Sequence, residues 1–114
     1  MKALKELLRE LTFTCERGNL EKEVTAVVYD SRKIIEGCLF VCIKGANFDG
    51  HQGAAEAAEK KAAAIIVSKE VELPEQTETT LIRVEDTRYA LAFVSAAWFD
   101  HPAKKLTTIG ITGT

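Results

Sequence analysis

The sequence predicts an α/β fold, a three-layer domain in which helices flank a largely parallel sheet. Short apolar runs alternate with helix-like segments along the chain, which is the pattern of such folds. The runs at residues 39–43 and 64–67 are apolar at consecutive positions, as expected for strands covered on both faces. Connections between segments are short, and no repeat or low-complexity stretch interrupts the order.

Three helices are predicted. Near the start, Leu4, Leu7, Leu8 and Leu11 recur at helical spacing opposite charged residues, which indicates a short amphipathic helix that Gly18-Asn19 ends. Residues 53–61 are rich in alanine and glutamate and favour a second helix. Asp86 is a candidate N-cap for a third helix over residues 87–99, with Leu91, Val94 and Trp98 on one face.

Four strands are predicted before the chain's last segment. They cover residues 24–29, 39–43, 64–67 and 81–84. Residues 44–51 contain two glycines, Asn and Asp in close succession and are expected to form a loop. Residues 73–79 are expected to form an acidic surface loop.

Composition excludes several classes of function. The chain has 114 residues and a formal net charge of -2, so it gives no reason to expect a nucleic-acid or membrane partner. Its three cysteines lack C-x-x-C spacing, which argues against a disulfide framework or a metal site. Cys38 and Cys42 flank an apolar run and are expected to be small buried hydrophobes. No signal peptide is visible, and a cytoplasmic location is expected.

The last residues read as a strand that runs into a glycine turn. Residues 106–111 are rich in β-branched side chains, and Gly113 and Thr114 follow. A strand, a glycine-rich turn and a helix together present backbone N–H groups to phosphate. We therefore expect this chain to be the N-terminal piece of a larger nucleotide-using protein, with a domain boundary near residues 102–106.

Two polar clusters lie at the ends of predicted strands. One is Tyr29-Asp30-Ser31-Arg32, and the other is the loop of residues 44–51. If the two strands run parallel, both clusters lie at one edge of the sheet, where ligands of open α/β sheets bind. A hydroxyl, a guanidinium and exposed loop amides there would suit a phosphorylated ligand.

Structural roles are the alternatives for the same residues. Asp30-Ser31-Arg32 can form a turn in which Arg32 makes an ion pair, and Asn47 and Asp49-Gly50 can be ordinary turn residues. His51 is expected to be a helix-entry or packing residue, because no second ligand with metal spacing accompanies it. Three further residues, His101, Trp98 and Phe99, are assigned structural or packing roles.

Six segments together resemble the Mur ligases, ATP-dependent enzymes that add amino acids to the peptidoglycan precursor. They occur in the family's order and cover nearly the whole chain. The segments are Tyr29-Asp30-Ser31-Arg32, residues 37–45, Phe48-Asp49-Gly50-His51, residues 62–67, residues 84–92 and residues 109–114. The start of the third helix and the last segment look most like the members that add the third residue of the peptide.

The resemblance implies a UDP-binding N-terminal domain over residues 1–103. By the family's pattern, Tyr29 and Ser31 contact the UDP moiety, and Ala46, Asn47 and Phe48 border the uracil. Residues 104–114 would be the first strand and the start of the phosphate loop of a central ATP-binding domain, with Gly113 and Thr114 meeting ATP. ATP and Mg²⁺ would be bound by that domain, and no catalytic or metal-binding residue is expected in this chain.

The implied reaction joins meso-diaminopimelate or L-lysine to UDP-N-acetylmuramoyl-L-alanyl-D-glutamate. In the family, the D-glutamate carboxylate is activated as an acyl phosphate and is then attacked by the amine. One alternative is the Mur ligase that adds the following D-alanyl-D-alanine dipeptide, and another is a non-catalytic sugar-nucleotide-binding module. The chain alone is expected to fold, to be monomeric, to bind UDP-linked ligands weakly and not to bind ATP.

Three positions depart from the family's pattern. Cys38 replaces a usual acidic residue, and Gly53 replaces a bulkier aromatic. Lys61 stands where a glycine is frequent, and we expect this substitution to remove a left-handed helix stop.

Overall fold

The computed structural model describes residues 2–9, 11–44 and 49–99. The helices are α1 (Leu4–Leu7), α2 (Ala54–Glu59) and α3 (Thr87–Phe99), and two short 3₁₀ turns span Ser31–Lys33 and Gly50–Gly53. The strands are β1 (Lys2–Ala3), β2 (Thr14–Arg17), β3 (Glu23–Val24), β4 (Val27–Val28), β5 (Leu39–Val41), β6 (Ala64–Val67) and β7 (Thr80–Arg83).

The main sheet has five strands in the order β2-β7-β6-β5-β4. Strands β4 to β7 are parallel to one another, with Val27 opposite Leu39, Leu39 opposite Ala64, and Ala64 opposite Thr80. Among the described strands of this sheet, only the edge strand β2 is antiparallel to its neighbour. The prediction of a largely parallel sheet is therefore confirmed.

The sheet is covered on both faces, which confirms the predicted three layers. Leu39, Val41 and Ile66 point to one face, where α1 and α3 pack. Phe40 and Ile65 point to the other face, where the alanines of α2 pack. Because neighbouring residues of a strand face opposite sides, an apolar run without alternation supplies both cores.

The predicted strand over residues 24–29 is divided between two sheets. Val24 lies opposite Lys2 in a small antiparallel sheet of β1 and β3, whereas Val27 and Val28 pair with β5. Thr25 bridges the two parts, since its N–H donates to the Gly37 carbonyl at 2.9 Å. Apolar character predicted extended backbone here but not the change of partner.

The structure differs from the prediction at one further strand and at the first helix. Strand β2 was not predicted, because its residues Thr14–Arg17 are mostly exposed at the sheet edge and form no apolar run. The first helix covers only Leu4–Leu7, although Leu4, Leu7 and Leu8 are buried as the leucine spacing predicted.

Helix α2 keeps the left-handed stop that the Lys61 substitution was expected to remove. Lys61 has a φ of 65°. Its N–H donates to Ala58 O at 3.1 Å, and the Ala62 N–H donates to Ala57 O at 3.0 Å, which is the hydrogen-bond pattern of a Schellman stop. That expectation is wrong because the surrounding structure imposes the turn on a lysine, at a conformational cost that glycine would avoid.

Helix α3 follows its prediction closely. Asp86 Oδ1 accepts hydrogen bonds from the N–H groups of Arg88 at 2.9 Å and Tyr89 at 3.3 Å, so Asp86 caps the helix. Val94 is buried, and Leu91 and Trp98 pack partly buried against the same core. Among the described helices, none is long and apolar enough to span a membrane.

Candidate functional site

Four parallel strands end at the same side of the sheet, and each is followed by a basic residue. Arg32 follows β4, Lys44 follows β5, Lys69 follows β6 and Arg88 follows β7. We call this side, formed by residues 29–33, 42–44, 49–53, 68–69 and 85–88, the carboxyl edge. The prediction that the two polar clusters share one edge is confirmed for the described residues.

Tyr29 and Ser31 lie at the outer end of the carboxyl edge, after β4. Tyr29 is 59% exposed. Ser31 is half-buried and begins the 3₁₀ turn Ser31–Lys33. Within residues 2–9, 11–44 and 49–99, no group hydrogen-bonds to the Ser31 hydroxyl, so this hydroxyl can donate to a ligand.

Arg32 forms the ion pair that the structural alternative predicted. Its Nε and Nη2 donate to the two oxygens of Asp30 at 3.1 and 2.9 Å, and its backbone N–H donates to Asp30 Oδ1 at 2.9 Å. These hydrogen bonds from Arg32 lower the pKa of Asp30 to about 2. The pair is solvent-exposed on the Arg32 side and fixes the turn that carries Ser31.

Asp49 and His51 form a buried network with the end of β6. Asp49 Oδ1 lies 2.7 Å from His51 Nδ1, and Lys69 Nζ donates to Asp49 Oδ2 at 2.6 Å. His51 Nε2 accepts the Ser68 N–H at 3.0 Å. Since a backbone N–H can only donate, Nε2 is unprotonated and Nδ1 carries the proton to Asp49. His51 is thus a packing residue at helix entry, as predicted.

The charge of Asp49 is stabilised by this network. The ammonium group of Lys69, followed by the N–H groups of His51, holds the pKa of Asp49 well below its usual range. Asp49 also caps the turn Gly50–Gly53 through the His51 N–H at 3.0 Å. The turn interpretation of Asp49-Gly50 is therefore confirmed.

The two ends of the loop after β5 meet each other. Lys44 and Asp49 form an antiparallel bridge, and the Gly50 N–H donates to Ile43 O at 2.8 Å. A Cβ on Gly50 would lie 2.6 Å from Ile43 N, so only glycine fits. Arg88 Nη2 donates to Lys44 O at 3.0 Å from the start of α3.

Gly53 brings the turn Gly50–Gly53 against Ser31. A Cβ built on Gly53 would lie 3.2 Å from Ser31 Cβ and 3.4 Å from Phe40 Cζ. The departure from a bulkier residue at this position thus accompanies close packing between the two turns of the carboxyl edge.

Several predicted residues lie outside the described part of the chain. These are the three residues assigned to the uracil, Ala46, Asn47 and Phe48, the two assigned to ATP, Gly113 and Thr114, and also His101. The proposed boundary near residues 102–106 also lies there.

The cysteines offer no reactive thiol at this edge. Cys38 and Cys42 are buried, which confirms the prediction of small buried hydrophobes. Burial raises the pKa of Cys42 to about 12 and also raises that of Cys38. Within the described ranges, no cluster of three His, Cys, Asp or Glu side chains could hold a metal ion.

A groove of about 650 Å³ lies at the opposite side of the sheet. Its lining includes Lys22, Lys61 and Thr79, together with three glutamates. Two of its polar groups are already paired with backbone: Lys22 Nζ donates to the carbonyl oxygens of Glu78 and Ala63, and Thr79 Oγ1 donates to Ala62 O at 2.8 Å. The three glutamates give the lining a negative charge, which disfavours an anionic ligand. We therefore place the candidate site at the carboxyl edge rather than in the groove.

Three residues of the carboxyl edge were not singled out from the sequence. Ser68 and Lys69 follow a predicted strand directly, and Arg88 lies in the first turn of a predicted helix. Position after a parallel strand was the available indication, since it places a residue at the edge where ligands bind.

Comparison with known proteins gives consistent results. The sequence model of the "Mur ligase family, catalytic domain" matches residues 23–99. The chain is 45% identical over 111 residues to the UDP-N-acetylmuramoyl-L-alanyl-D-glutamate--2,6-diaminopimelate ligase of Clostridium perfringens. It is 43% identical over 112 residues to the enzyme of the same name from Oceanobacillus iheyensis. Each alignment covers 97% of this chain and 22% of the relative.

Solved structures agree on the fold. A crystal structure of MurF from Acinetobacter baumannii superposes with a TM-score of 0.69 at 25% identity, covering 84% of this chain and 20% of that one. The chain thus spans about a fifth of the length of the relatives it matches. Because the family's sequence model covers most of the chain and the fold agrees, the chain belongs to the Mur ligase family.

Proposed function

We propose that this chain binds the UDP end of UDP-N-acetylmuramoyl-L-alanyl-D-glutamate at its carboxyl edge. The observation that carries the proposal is the Ser31 hydroxyl, half-buried beside Tyr29 and without a hydrogen-bond partner among the described residues. A hydroxyl at a strand's carboxyl end can donate to a phosphate or uracil oxygen.

Charge supports a diphosphate ligand. Lys44 is exposed and, within the described residues, its ammonium group forms no ion pair. Lys69 and Arg88 lie on the neighbouring strand ends, although Lys69 is engaged by Asp49 and Arg88 by the Lys44 carbonyl. Among the described residues, Lys44 thus offers an unpaired cation at the edge that carries the Ser31 hydroxyl, which favours an anionic ligand over a neutral one.

The relatives favour one reaction within the family. The two relatives named above are diaminopimelate ligases acting on UDP-N-acetylmuramoyl-L-alanyl-D-glutamate, at 45% and 43% identity, whereas the MurF structure is 25% identical. We therefore propose that the whole protein is a cytoplasmic ligase of peptidoglycan synthesis that adds meso-diaminopimelate as the third residue. L-Lysine addition and D-alanyl-D-alanine addition are the competing reactions.

The roles of the two parts of the chain are assigned by the family's pattern. Residues 1–103 would hold the UDP end, with Tyr29, Ser31, Ala46, Asn47 and Phe48 as contacts. Residues 104–114 would begin the ATP-binding domain, where Gly113 and Thr114 start the phosphate loop and Mg²⁺ neutralises phosphoryl charge. The role of the described residues is to bind and orient the substrate.

The site is tested by changing Ser31. Ser31→Ala should weaken UDP-substrate binding by about 1–2 kcal/mol, because it removes one hydrogen bond to a charged group, while the free energy of unfolding stays unchanged. Calorimetric titration of the full-length protein with its UDP substrate measures this, and Ser95→Ala in α3 is the matched control. Unchanged affinity for the UDP substrate would contradict the assignment of Ser31 to the site. A fall in the free energy of unfolding as large as the loss of binding free energy would also contradict it.

The reaction is tested by phosphate release. Full-length protein with ATP, Mg²⁺ and UDP-N-acetylmuramoyl-L-alanyl-D-glutamate should release phosphate only when meso-diaminopimelate is added. Release with L-lysine instead would change the assigned amino acid. Release only with the tripeptide substrate and D-alanyl-D-alanine would indicate the other ligase, and binding without any release would indicate a non-catalytic module.

A further inference from the structure

We propose that six residues form a brace that holds the carboxyl edge in its ligand-binding geometry: Lys44, Asp49, His51, Ser68, Lys69 and Arg88. This inference rests on the proposed function, since it assigns positioning roles around Ser31. None of the six needs to touch the ligand in order to position Ser31.

The first part of the brace joins β5 to β6. Asp49 is held by Lys69 at 2.6 Å and by His51 Nδ1 at 2.7 Å. His51 in turn accepts the Ser68 N–H at 3.0 Å. The side chains of His51 and Asp49 are only 4% and 14% exposed, so water competes little for these hydrogen bonds.

The second part joins β5 to β7. Arg88 lies in the first turn of α3 and donates to Lys44 O at 3.0 Å. The backbones of Lys44 and Asp49 form an isolated β-bridge where the two ends of the loop meet. The Arg88 guanidinium therefore holds Lys44 at one end of the loop. Lys69 and His51 hold Asp49 at the other end.

The third step connects the brace to Ser31. Asp49 and His51 fix the turn Gly50–Gly53, and Gly53 packs against Ser31 so closely that a Cβ would approach Ser31 Cβ to 3.2 Å. Movement of this turn would therefore move the surface on which Ser31 rests. A hydroxyl held in place before binding loses less conformational entropy on binding, which increases affinity.

The test uses paired substitutions in the 114-residue chain, with UDP as the probe. Lys69→Met and Arg88→Met remove one contact each, and both positions are exposed, so the variants should fold. Lys60→Met at the C-cap of α2 and Arg83→Met on β7 are the matched controls. Nuclear magnetic resonance titration measures affinity, and native-state amide exchange measures local opening.

We expect Lys69→Met and Arg88→Met to weaken UDP binding by about 3–10-fold, the loss expected for one charge-assisted hydrogen bond acting indirectly. Amide exchange of Gly50 and Ser68 should become about fivefold faster or more. The amide of Val84, which donates to Val67 O at 2.8 Å in the sheet, should not change. Lys69→Arg and Arg88→Lys should restore both quantities, because the donors return.

The outcomes separate the two proposals. If the unaltered chain does not bind UDP at millimolar concentration, the proposed function fails and the positioning role fails with it; the exchange rates then show only whether these contacts hold the turn Gly50–Gly53 in place. If the chain binds UDP but Lys69→Met and Arg88→Met behave like their controls in affinity and exchange, the brace is refuted. Faster exchange with unchanged affinity also refutes a positioning role, because the network is then structural only.

Discussion

The two ends of the same parallel strands use their polar side chains differently. At the amino ends of β4 to β7, the hydroxyls donate to nearby carbonyl oxygens: Thr25 to Glu36, Thr79 to Ala62 and Thr80 to Asn19, at 3.1, 2.8 and 2.5 Å. At the carboxyl ends, within the described residues, the hydroxyl of Ser31 has no such partner.

The lysines show the same difference. Lys22 at the amino ends donates to two backbone carbonyls, and burial lowers its pKa. Lys69 at the carboxyl ends instead holds the carboxylate of Asp49. The amino ends thus pair these hydroxyl and ammonium groups with backbone acceptors. At the carboxyl ends, charged side chains fix their own turns, and the Ser31 hydroxyl stays without a partner among the described residues. Substitutions can test this comparison.

The largest effect on stability is expected from substituting glycines at the carboxyl and amino ends of the parallel strands. Gly50→Ala places a Cβ 2.6 Å from Ile43 N, and Gly18→Ala places one 2.7 Å from Thr80 Oγ1 at a φ of 81°. Each should lower the free energy of unfolding by about 2–3 kcal/mol through overpacking or strain. Urea denaturation measures this.

Ligand binding distinguishes these two variants. In the folded fraction, Gly50→Ala should lose UDP affinity and Gly18→Ala should keep it. Equal loss of affinity in both would show that the two ends do not differ in function.

The second expectation is that the stabilisation contributed by Asp49 at the carboxyl edge is lost in acid. The folded-state pKa of Asp49 lies below its ordinary value of roughly 3.9, so the unfolded chain binds the proton first as the pH falls. Its stabilisation is therefore complete above that ordinary value and is lost as the pH falls towards the folded-state pKa. Asp49→Asn should cost about 1–2 kcal/mol near neutral pH and progressively less at about pH 3.

Urea denaturation at both pH values provides the measurement. Thr79→Val at the amino ends is the control, because a hydroxyl does not titrate there. A cost of Asp49→Asn that stays constant with pH would contradict the assignment of the charge to the network.

The third expectation is that Thr79→Val lowers stability without changing UDP affinity. It removes the hydrogen bond to Ala62 O and leaves that buried carbonyl without this donor, so stability should fall by about 1 kcal/mol. UDP affinity should stay unchanged, which is the reverse of the result expected for Ser31→Ala. Thermal denaturation with parallel UDP titration would show whether the two hydroxyls divide in this way.

The smallest effect concerns the stop of α2. Lys61→Gly should raise the free energy of unfolding by about 0.5–1 kcal/mol, because a residue at a φ of 65° no longer carries a Cβ. Lys60→Gly, one residue earlier at a φ of -86°, is the control and should destabilise. Denaturant midpoints compare the two, and equal effects would mean that Lys61 is not strained.

The sequence by itself determined the class of fold and the order of its central elements. The apolar runs of β5 and β6 predicted strands buried on both faces, and Asp86 with its following apolar spacing predicted α3. The position of Ser31 after β4 followed from the same pattern. These features depend on local periodicity and capping, which neighbouring residues carry along the chain.

Only the tertiary structure decided what those elements pair with. Val24 and Val27 belong to one β-branched run but join different sheets, and β2 becomes a strand because β7 offers an open edge. Lys61 adopts a left-handed conformation that its side chain disfavours. Likewise, Asp49 meets Lys69 across 20 residues, and Arg88 meets Lys44 across 44. Such contacts depend on the packing of distant segments, which local pattern does not encode.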